Sequence, residues 1–422
     1  MRLTIISTPI GFLGSGRGGG VELTLNSLVS GLLEENHFIN VIAPINSRLS
    51  ESCNSANLFT VEGYEQNSWQ HQDYYTKTNY TKGSIVYKML EKALSFVKDC
   101  DAIINLSYDL MPISKTLEID FPILHLISMG DESLEVRNII SKVYSDYPYN
   151  FAFHSRTQAS DYPFIKDPII IGNGFELSKY TFQEKKEGPL AWVGRVAPEK
   201  GLEDAVFVAS EIGEKLNVWG IIEDKDYASK IQRLYPSGKI CWKGFLPTNK
   251  LQEELGQCRA LLNTPKWNEA YGNVVVEAMA CGVPVVAYKR GGPGEIIQHG
   301  ETGFLVKADD KESLLFYLKQ IDLEGKQNIL SILKMDIPKL KKNFEVEFEV
   351  ENSTNKIELS NELDLILPYL KDKLKNQQIT FNIVINPKYK KKNFYTPDQK
   401  YKKMISINPD ITLLKKTFNL EL

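Results

Sequence analysis

The sequence predicts an α/β protein with two doubly wound, parallel-sheet domains and a small α+β module at its C-terminal end. Short apolar runs alternate with segments of helical periodicity over most of the 422 residues. This alternation is typical of parallel sheets whose two faces are both covered by helices. A sharp change of composition near residue 323 separates the remaining part of the chain.

The first domain is predicted over residues 1–176. Its strands are expected at 3–6, 38–43, 102–106, 122–129 and 150–154, with helices at 21–33 and 87–97. A glycine-rich loop at 14–20 follows the first strand, and glycine allows the backbone to approach a ligand closely. The loop formally matches the Gly-x-Gly-x-x-Gly pattern of nicotinamide-binding folds. However, no acidic residue for a ribose follows the second strand, so we discount a dehydrogenase.

The second domain is predicted over residues 177–322. Its strands are expected at 190–193, 218–222, 240–245, 260–264 and 284–288. A helix over 273–281 places Glu269 in the loop before it and Glu277 on its second turn. Backbone N–H groups at the helix start, near Asn273 and Val274, are free to bind phosphate. Since carboxylates accept hydrogen bonds from sugar hydroxyls, this arrangement is suited to hold a sugar and a nucleotide together.

The stretch from Glu269 to Glu277 resembles the E-x7-E signature of retaining glycosyltransferases of family 4, which have the GT-B fold. The flanking segments at 265–272, 281–285, 291–295 and 300–306 carry the same resemblance. In GT-B proteins two Rossmann-like domains face each other across a cleft. The resemblance implies that Glu269 is catalytic and holds hydroxyls of the donor sugar, while Glu277 holds the ribose.

The resemblance extends to two further segments. Gly-Arg-Val-Ala-Pro-Glu-Lys-Gly at 194–201 resembles the family's cationic loop, so Arg195 and Lys200 are expected to stabilise the leaving diphosphate without a metal. Gly-Gly-Val-Glu at 19–22 resembles its glycine loop. The implied donor-binding residues are Gly19, Gly20, Glu22, Gly194, Asn273, Val274 and Glu277.

The sequence offers two candidate residues for the acceptor side of the site. Members of the family commonly carry a histidine after the strand that begins here at Pro122, and this place falls near Ser128. The nearest histidine, His125, lies among aliphatic residues, which is more typical of a core position. Both are acceptor-side candidates, and no catalytic base is assigned. The opening segment at 7–25 resembles UDP-glucose:tetrahydrobiopterin glucosyltransferases, which implies UDP-glucose as donor and a pterin as acceptor.

Residues 323–422 differ from the rest of the chain. They hold 18 Lys, no Arg and 13 acidic residues, a net charge of +5, whereas the preceding residues carry −8. Strands are predicted at 344–350 and 379–385, a helix at 358–376, and short helices starting at Tyr395 and Asn408. Segments 394–404 and 408–422 resemble the C-terminal piece of a DNA polymerase III gamma/tau subunit. This resemblance implies an appended interaction module with a protein partner, in place of the family's usual helix that crosses back to the first domain.

Composition excludes several classes of function. A net charge of −3 and a pI near 6.1 give no reason to expect a nucleic acid as main ligand, and we interpret the lysine run at 388–392 as a solvated face. The five cysteines lack metal-site spacing and are typical of a reducing cytoplasm. No signal peptide or membrane span is predicted.

The sequence therefore predicts a retaining, metal-independent hexosyltransferase without a cofactor, which moves a sugar from a nucleoside diphosphate to a small acceptor. The alternative is a catalytically inactive shell that binds nucleotide sugars and carries an interaction module. A glycogen-phosphorylase-like reaction on the same fold is a third alternative. It would need a lysine that binds pyridoxal phosphate, in a much longer chain.

Overall fold

The computed structural model describes residues 1–325 except 66, 68, 70–71, 78–80, 184–187 and 236–238; beyond them it describes 339–341, 344–350, 356, 359–360, 363, 367–368, 371 and 375–386. The chain divides into two compact units, Met1–Lys319 and Gln320–Leu422. The helix starts predicted at 395 and 408, the lysine run at 388–392 and the two segments that resemble a polymerase subunit lie outside the described residues.

The first sheet of unit 1 has seven parallel strands in the order β3-β2-β1-β4-β5-β6-β7. The strands are β1 Arg2–Ile6, β2 Phe38–Pro44, β3 Asn57–Val61, β4 Ala102–Asn105, β5 Ile123–Ile127, β6 Phe151–Phe153 and β7 Ile169–Ile170. The helices that cover it are α1 Gly20–Glu34, α2 Ile85–Leu94, α3 Leu110–Lys115, α4 Leu134–Asp146 and α5 Arg156–Ala159. The strand order reverses between β1 and β4, and a crevice forms at such a point beside the carboxyl ends of the strands.

The second sheet of unit 1 has six parallel strands in the order β10-β9-β8-β11-β12-β13. They are β8 Leu190–Val193, β9 Leu216–Trp219, β10 Ile240–Gly244, β11 Ala260–Asn263, β12 Val285–Tyr288 and β13 Phe304–Val306. The helices are α6 Leu202–Glu211, α7 Lys225–Leu234, α8 Thr248–Leu255, α9 Asn273–Ala280 and α10 Pro293–Ile296. A further helix, α11 Lys311–Gly325, includes the boundary between the two units. Here the order reverses between β8 and β11, which places a second crevice at this edge.

Continuous apolar strands form the core of each sheet, as expected for parallel sheets covered on both faces. Every residue of β11 and of β12 is buried. Ile5 and Val41, on neighbouring strands of the first sheet, pack against Leu25 and Val29 of α1. The α/β prediction for both regions is therefore confirmed, and most strand boundaries shift by one or two residues.

Unit 2 contains a sheet of three strands, β14 Lys339–Leu340, β15 Glu345–Val350 and β16 Thr380–Ile385. The two predicted strands, β15 and β16, pair in parallel, and β14 pairs antiparallel to β15. The described residues among 356–371 are helical. Phe348, Val350, Leu359 and Ile383 are buried together, because alternate residues of β15 turn their apolar side chains to one face.

Candidate functional site

A cavity of about 770 Å³ in unit 1 is lined from both sheets, at the carboxyl ends of their strands. All predicted site residues except His125 line it: Gly19, Gly20, Glu22, Ser128, Gly194, Arg195, Lys200, Glu269, Asn273, Val274 and Glu277. The structure thus brings together residues that are up to about 260 positions apart in the sequence.

A half-buried ion pair joins Lys200 and Glu269. The Lys200 Nζ donates to Glu269 Oε1 at 2.5 Å and lies 4.5 Å from the centre of the Trp267 ring. Burial alone raises the pKa of Glu269, but the Lys200 ammonium and, to a smaller extent, Arg195 outweigh it and lower the net pKa. Glu269 is therefore an ionised carboxylate at neutral pH, with a cation beside it.

Backbone contacts fix the position of this pair. The Thr264 Oγ1 donates to the Gly201 carbonyl at 2.7 Å, and the Lys266 N–H donates to the Glu199 carbonyl at 2.8 Å. Gly201 has a φ of +64°, and a Cβ there would lie 2.0 Å from the Thr264 carbonyl oxygen. The glycine is needed both for its conformation and for the close approach of the two loops.

Arg195 supplies a second cation at the end of β8. Its guanidinium lies 3.3 Å from Glu199 Oε1 and also contacts Glu223. These carboxylates orient the guanidinium, whose planar fork matches a phosphate. The start of α9 lies on the same cavity wall, where Gly272, with a φ of +96°, precedes Asn273 without a capping side chain. The amides of this first turn are suited to bind an anion.

Glu277 differs from Glu269 in charge state. It lies on the second turn of α9, is 8% exposed, and accepts a hydrogen bond from the Tyr180 hydroxyl at 3.3 Å. Burial raises the pKa of Glu277 to about 7, with the hydrogen bond from Tyr180 opposing part of the shift. This carboxyl group therefore titrates near neutrality, whereas Glu269 stays ionised.

Glu22 holds the glycine-rich loop. Its carboxylate accepts from the N–H groups of Gly14 at 2.6 Å and Gly18 at 2.9 Å, and from the Ser15 hydroxyl at 3.3 Å. A Cβ at Gly16 would lie 2.3 Å from the Phe245 ring, so the loop packs against the second-sheet side of the cavity. The carboxylate that the sequence assigns to donor binding is thus engaged in shaping the loop.

Two asparagines bridge the cavity walls. The Asn173 Nδ2 donates to Asn273 Oδ1 at 2.6 Å, and the Asn273 Nδ2 donates to the Gly20 carbonyl at 3.0 Å. A Cβ at Gly20 would come within 2.9 Å of the Asn273 amide, so the Asn273 side chain lies directly over this glycine. Asn173 is not among the residues that the sequence assigns to the site.

His125 lies in the core and does not line the cavity. Its Nδ1 is 3.1 Å from the Asn105 amide nitrogen and its Nε2 is 2.8 Å from the Thr116 hydroxyl. Burial lowers its pKa to about 3, so the ring stays neutral. The structure therefore removes His125 from the acceptor-side candidates, because it is a buried residue with both ring nitrogens hydrogen-bonded.

His154, directly after β6, is a site residue that the sequence reasoning missed. Its Nδ1 is 3.1 Å from the Gly172 carbonyl oxygen and its Nε2 is 3.2 Å from the Ser128 hydroxyl. Since a carbonyl only accepts, Nδ1 carries the proton and Nε2 accepts from Ser128. Burial lowers the pKa of His154, so this pair is neutral. The available signal was its position, a polar residue at the carboxyl end of a strand.

Comparison with known proteins relates the second-sheet region to one family. Residues 176–328 match the model described as "Glycosyl transferases group 1". This part of the chain is related to the group 1 glycosyl transferases. Residues 314–386 match a second model, described as a domain of unknown function (DUF8439).

Relatives and solved structures agree with this relationship. The chain is 52% identical over 194 residues to N-acetyl-alpha-D-glucosaminyl L-malate synthase of Bacillus anthracis, a match over 44% of this chain and 50% of that protein. It is similar in structure to sucrose-phosphate synthase of Thermosynechococcus elongatus, with a TM-score of 0.63, 16% identity, and 77% and 90% of the two chains covered. HepE of Anabaena, crystallised with UDP-glucose, gives a TM-score of 0.60 at 16% identity, with 77% and 91% covered.

These likenesses establish the fold. At 16% identity the structural matches show that unit 1 has the GT-B fold and no more. The matches span half or less of the length of the curated relatives. Within the part of the chain that the structure describes, none of the helices has the length and apolar character needed to cross a membrane.

Proposed function

We propose that this chain transfers a sugar from a nucleoside diphosphate to a small acceptor, with retention of configuration and without a metal ion. The observation that carries the proposal is the half-buried Glu269–Lys200 pair in the cavity, with Arg195 on the same wall. An ionised carboxylate binds sugar hydroxyls, and the two cations stabilise the charge that develops on a leaving diphosphate. Nucleotide-sugar transfer requires both functions at adjacent positions.

The proposed donor pose follows from the geometry of α9. Its first-turn amides meet the diphosphate, and Glu277, one turn further, meets the ribose hydroxyls. Glu269, in the loop before α9, meets the sugar. UDP is the proposed nucleotide, because the structurally similar HepE was crystallised with UDP-glucose.

Two acceptor classes are proposed. A pterin is implied by the resemblance of the opening segment. A small hydroxy acid is favoured by a different observation: the cavity is lined by the exposed cation Arg48, which suits a carboxylate. The name of the Bacillus anthracis relative specifies L-malate, an acid of this class. In either case the Ser128–His154 pair is proposed to meet the acceptor hydroxyl.

UDP release by the purified full chain tests the proposal. UDP-glucose and UDP-N-acetylglucosamine are each incubated alone, with tetrahydrobiopterin and with L-malate. The expected result is slow UDP release from one donor alone and a faster, acceptor-dependent release in one of the pairs. Tight binding of a UDP-sugar without UDP release in any mixture would support the inactive shell instead. Absence of binding by either donor would overturn the proposed donor site.

A further inference from the structure

The loop that carries Glu269 is tied to the first-sheet side of the cavity through the residues on either side of it. The Asn268 Nδ2 donates to Asp161 Oδ1 at 2.9 Å. The Ser155 hydroxyl donates to the Ala270 carbonyl at 2.8 Å. Both contacts join segments more than a hundred residues apart, so neither is a local turn contact.

A third contact reaches the same loop through Glu295. One oxygen of its carboxylate accepts from both the N–H and the hydroxyl of Thr157 at 2.6 Å, and the other accepts from the Arg156 N–H at 3.1 Å. The Gly292 N–H, three residues before Glu295, donates to the Glu269 carbonyl at 2.7 Å. The Glu269 backbone is thus connected to the first-sheet side through this second segment as well.

Gly291 completes this connection. It forms a parallel backbone bridge with Glu269, has a φ of +71°, and a Cβ there would lie 2.2 Å from the Glu269 carbonyl oxygen. The motif Gly-Gly-Pro-Gly-Glu at 291–295 therefore has two separate tasks. Gly291 and Gly292 approach the Glu269 backbone, and Glu295 reaches the opposite wall.

The anchoring segment on the first-sheet side is itself well held. The Gln158 Nε2 donates to the Ile127 carbonyl at 2.6 Å and to the Met129 carbonyl at 3.0 Å. Asp161 lies beside Gly130, where a Cβ would come within 2.7 Å of its carboxylate. Since β5 ends at Ile127, these contacts fix the segment to the strand end that precedes Ser128.

We propose that these contacts position Glu269 for the donor sugar, and we call them the clasp. It consists of Ser155, Thr157 and Asp161 on the first-sheet side and Asn268, Ala270 and Glu295 on the other. The inference rests on the proposed function. Of the six, only Ala270 lines the cavity, so the clasp acts through the position of Glu269 and not by touching the substrate.

The clasp affects one part of the donor more than the rest. Glu269 is expected to meet the sugar, and such contacts require placement within about 0.5 Å. The nucleotide is expected to meet Glu277, Arg195 and the amides of α9, and none of the clasp hydrogen bonds includes these groups. Loosening the clasp should therefore weaken binding of a UDP-sugar while leaving free UDP unchanged.

A charge substitution and its reversal test the clasp. Asn268→Asp places a carboxylate against Asp161 and replaces attraction by repulsion. It should weaken UDP-sugar binding about 10-fold, the scale of one lost hydrogen bond near a charge, and change UDP binding by less than about 2-fold. Adding Asp161→Asn restores an amide–carboxylate hydrogen bond in the opposite direction and should recover most of the loss. Both dissociation constants are measured by calorimetry on the full chain.

Three further variants complete the design. Asn268→Ala removes the contact without adding charge and should give a smaller loss in the same direction. Thr157→Val removes only the hydroxyl contact with Glu295 and should give a still smaller one. Asn57→Asp makes the same charge change at an exposed position of β3, outside the cavity lining, and should alter neither constant.

Each outcome has a defined meaning. If the wild type binds the donor, any of three results would overturn the clasp. These are equal weakening of UDP and UDP-sugar binding, no change in either dissociation constant, or no recovery of UDP-sugar affinity in the double variant. If the wild type binds neither UDP-sugar, the proposed function fails first, and the clasp fails with it. A general loss of structure would lower both affinities together, and it would be visible as a lower unfolding temperature.

Discussion

The two walls of the cavity hold their polar groups in different ways. On the second-sheet wall the groups are charged and paired, as in Lys200 with Glu269 and Arg195 with Glu199. At the ends of β5 and β6 on the first-sheet wall, the Ser128–His154 pair is neutral, because burial lowers the pKa of the imidazole. This difference indicates a division of labour. The charged pairs are suited to a diphosphate, and the neutral Ser128–His154 pair is suited to an uncharged hydroxyl group.

The largest effect is expected when a cation is removed from the second-sheet wall. Lys200→Met should lower kcat by about 10²-fold or more, the scale of losing one preorganised charge stabiliser. UDP release from saturating donor measures it. Lys250→Met is the matched control, since Lys250 is exposed and forms a surface pair with Glu253. EDTA should leave the rate unchanged, and a strict requirement for added Mn²⁺ or Mg²⁺ would contradict the metal-free mechanism.

The next largest effect distinguishes the roles of Glu269 and Glu277 in donor binding. Glu277→Ala should weaken UDP and UDP-sugar alike, by about 10-fold, because it removes a hydrogen bond to the ribose. Glu269→Ala should weaken the UDP-sugar by a similar factor and leave UDP nearly unchanged. Calorimetry with both ligands distinguishes them. Equal effects of the two substitutions on free UDP would show that the assigned roles are wrong.

Glu277 also predicts a pH dependence of stability. Its pKa is raised from 4.5 to about 7 in the folded protein, so the folded state binds more protons than the unfolded state between these values. The contribution of Glu277 to the free energy of unfolding therefore falls as pH rises from about 4.5 to 7. Glu277→Gln should remove this slope, measured by urea unfolding at several pH values. An unchanged slope would contradict the raised pKa.

A smaller effect concerns the neutral Ser128–His154 pair. Ser128→Ala and His154→Gln should each lower kcat/KM for the acceptor by about 10-fold, the scale of one lost hydrogen bond, and leave donor hydrolysis in water unchanged. His125→Asn is a useful contrast, since His125 contacts core groups only. It should lower the unfolding temperature without changing the KM for the acceptor. An equal loss of donor hydrolysis in the Ser128 and His154 variants would place the pair on the donor side.

The smallest effect is expected from the tail. Ending the chain after Gly325, where α11 ends, should leave UDP-sugar affinity unchanged within a factor of about three, because the composition break predicts a separate module. The alternative is that the tail replaces the family's helix that crosses back to the first domain. A large loss of donor affinity or of thermal stability in the shortened chain would favour that alternative.

Particular residues show how much the sequence could predict. The strands around Glu269 and the start of α9 were predicted closely, because continuous apolar runs and a stopping glycine are local signals. Arg195, Lys200 and Glu269 were assigned through motifs whose spacing is local too. The strand β3 was missed, since Asn57 and Thr60 interrupt its apolar pattern.

The remaining parts depend on contacts between distant segments. The pairing of Ser128 with His154 joins two strands, and that of Asn173 with Asn273 spans a hundred residues. No local pattern encodes such contacts. The same limit applies to Glu22, whose motif predicted the correct loop, while its hydrogen bonds to Gly14 and Gly18 are visible only in the folded loop.

The proposed retaining transfer at Glu269 and Lys200 is tested most directly by proton NMR of the glycoside formed from a UDP-α-sugar and the acceptor, because a glycosidic bond does not mutarotate. We expect an α-linked product, and we expect the Glu269→Ala variant to form it at least about 10-fold more slowly. A β-linked product, or formation of the product by the variant at the wild-type rate, would show that retaining transfer at this site is wrong.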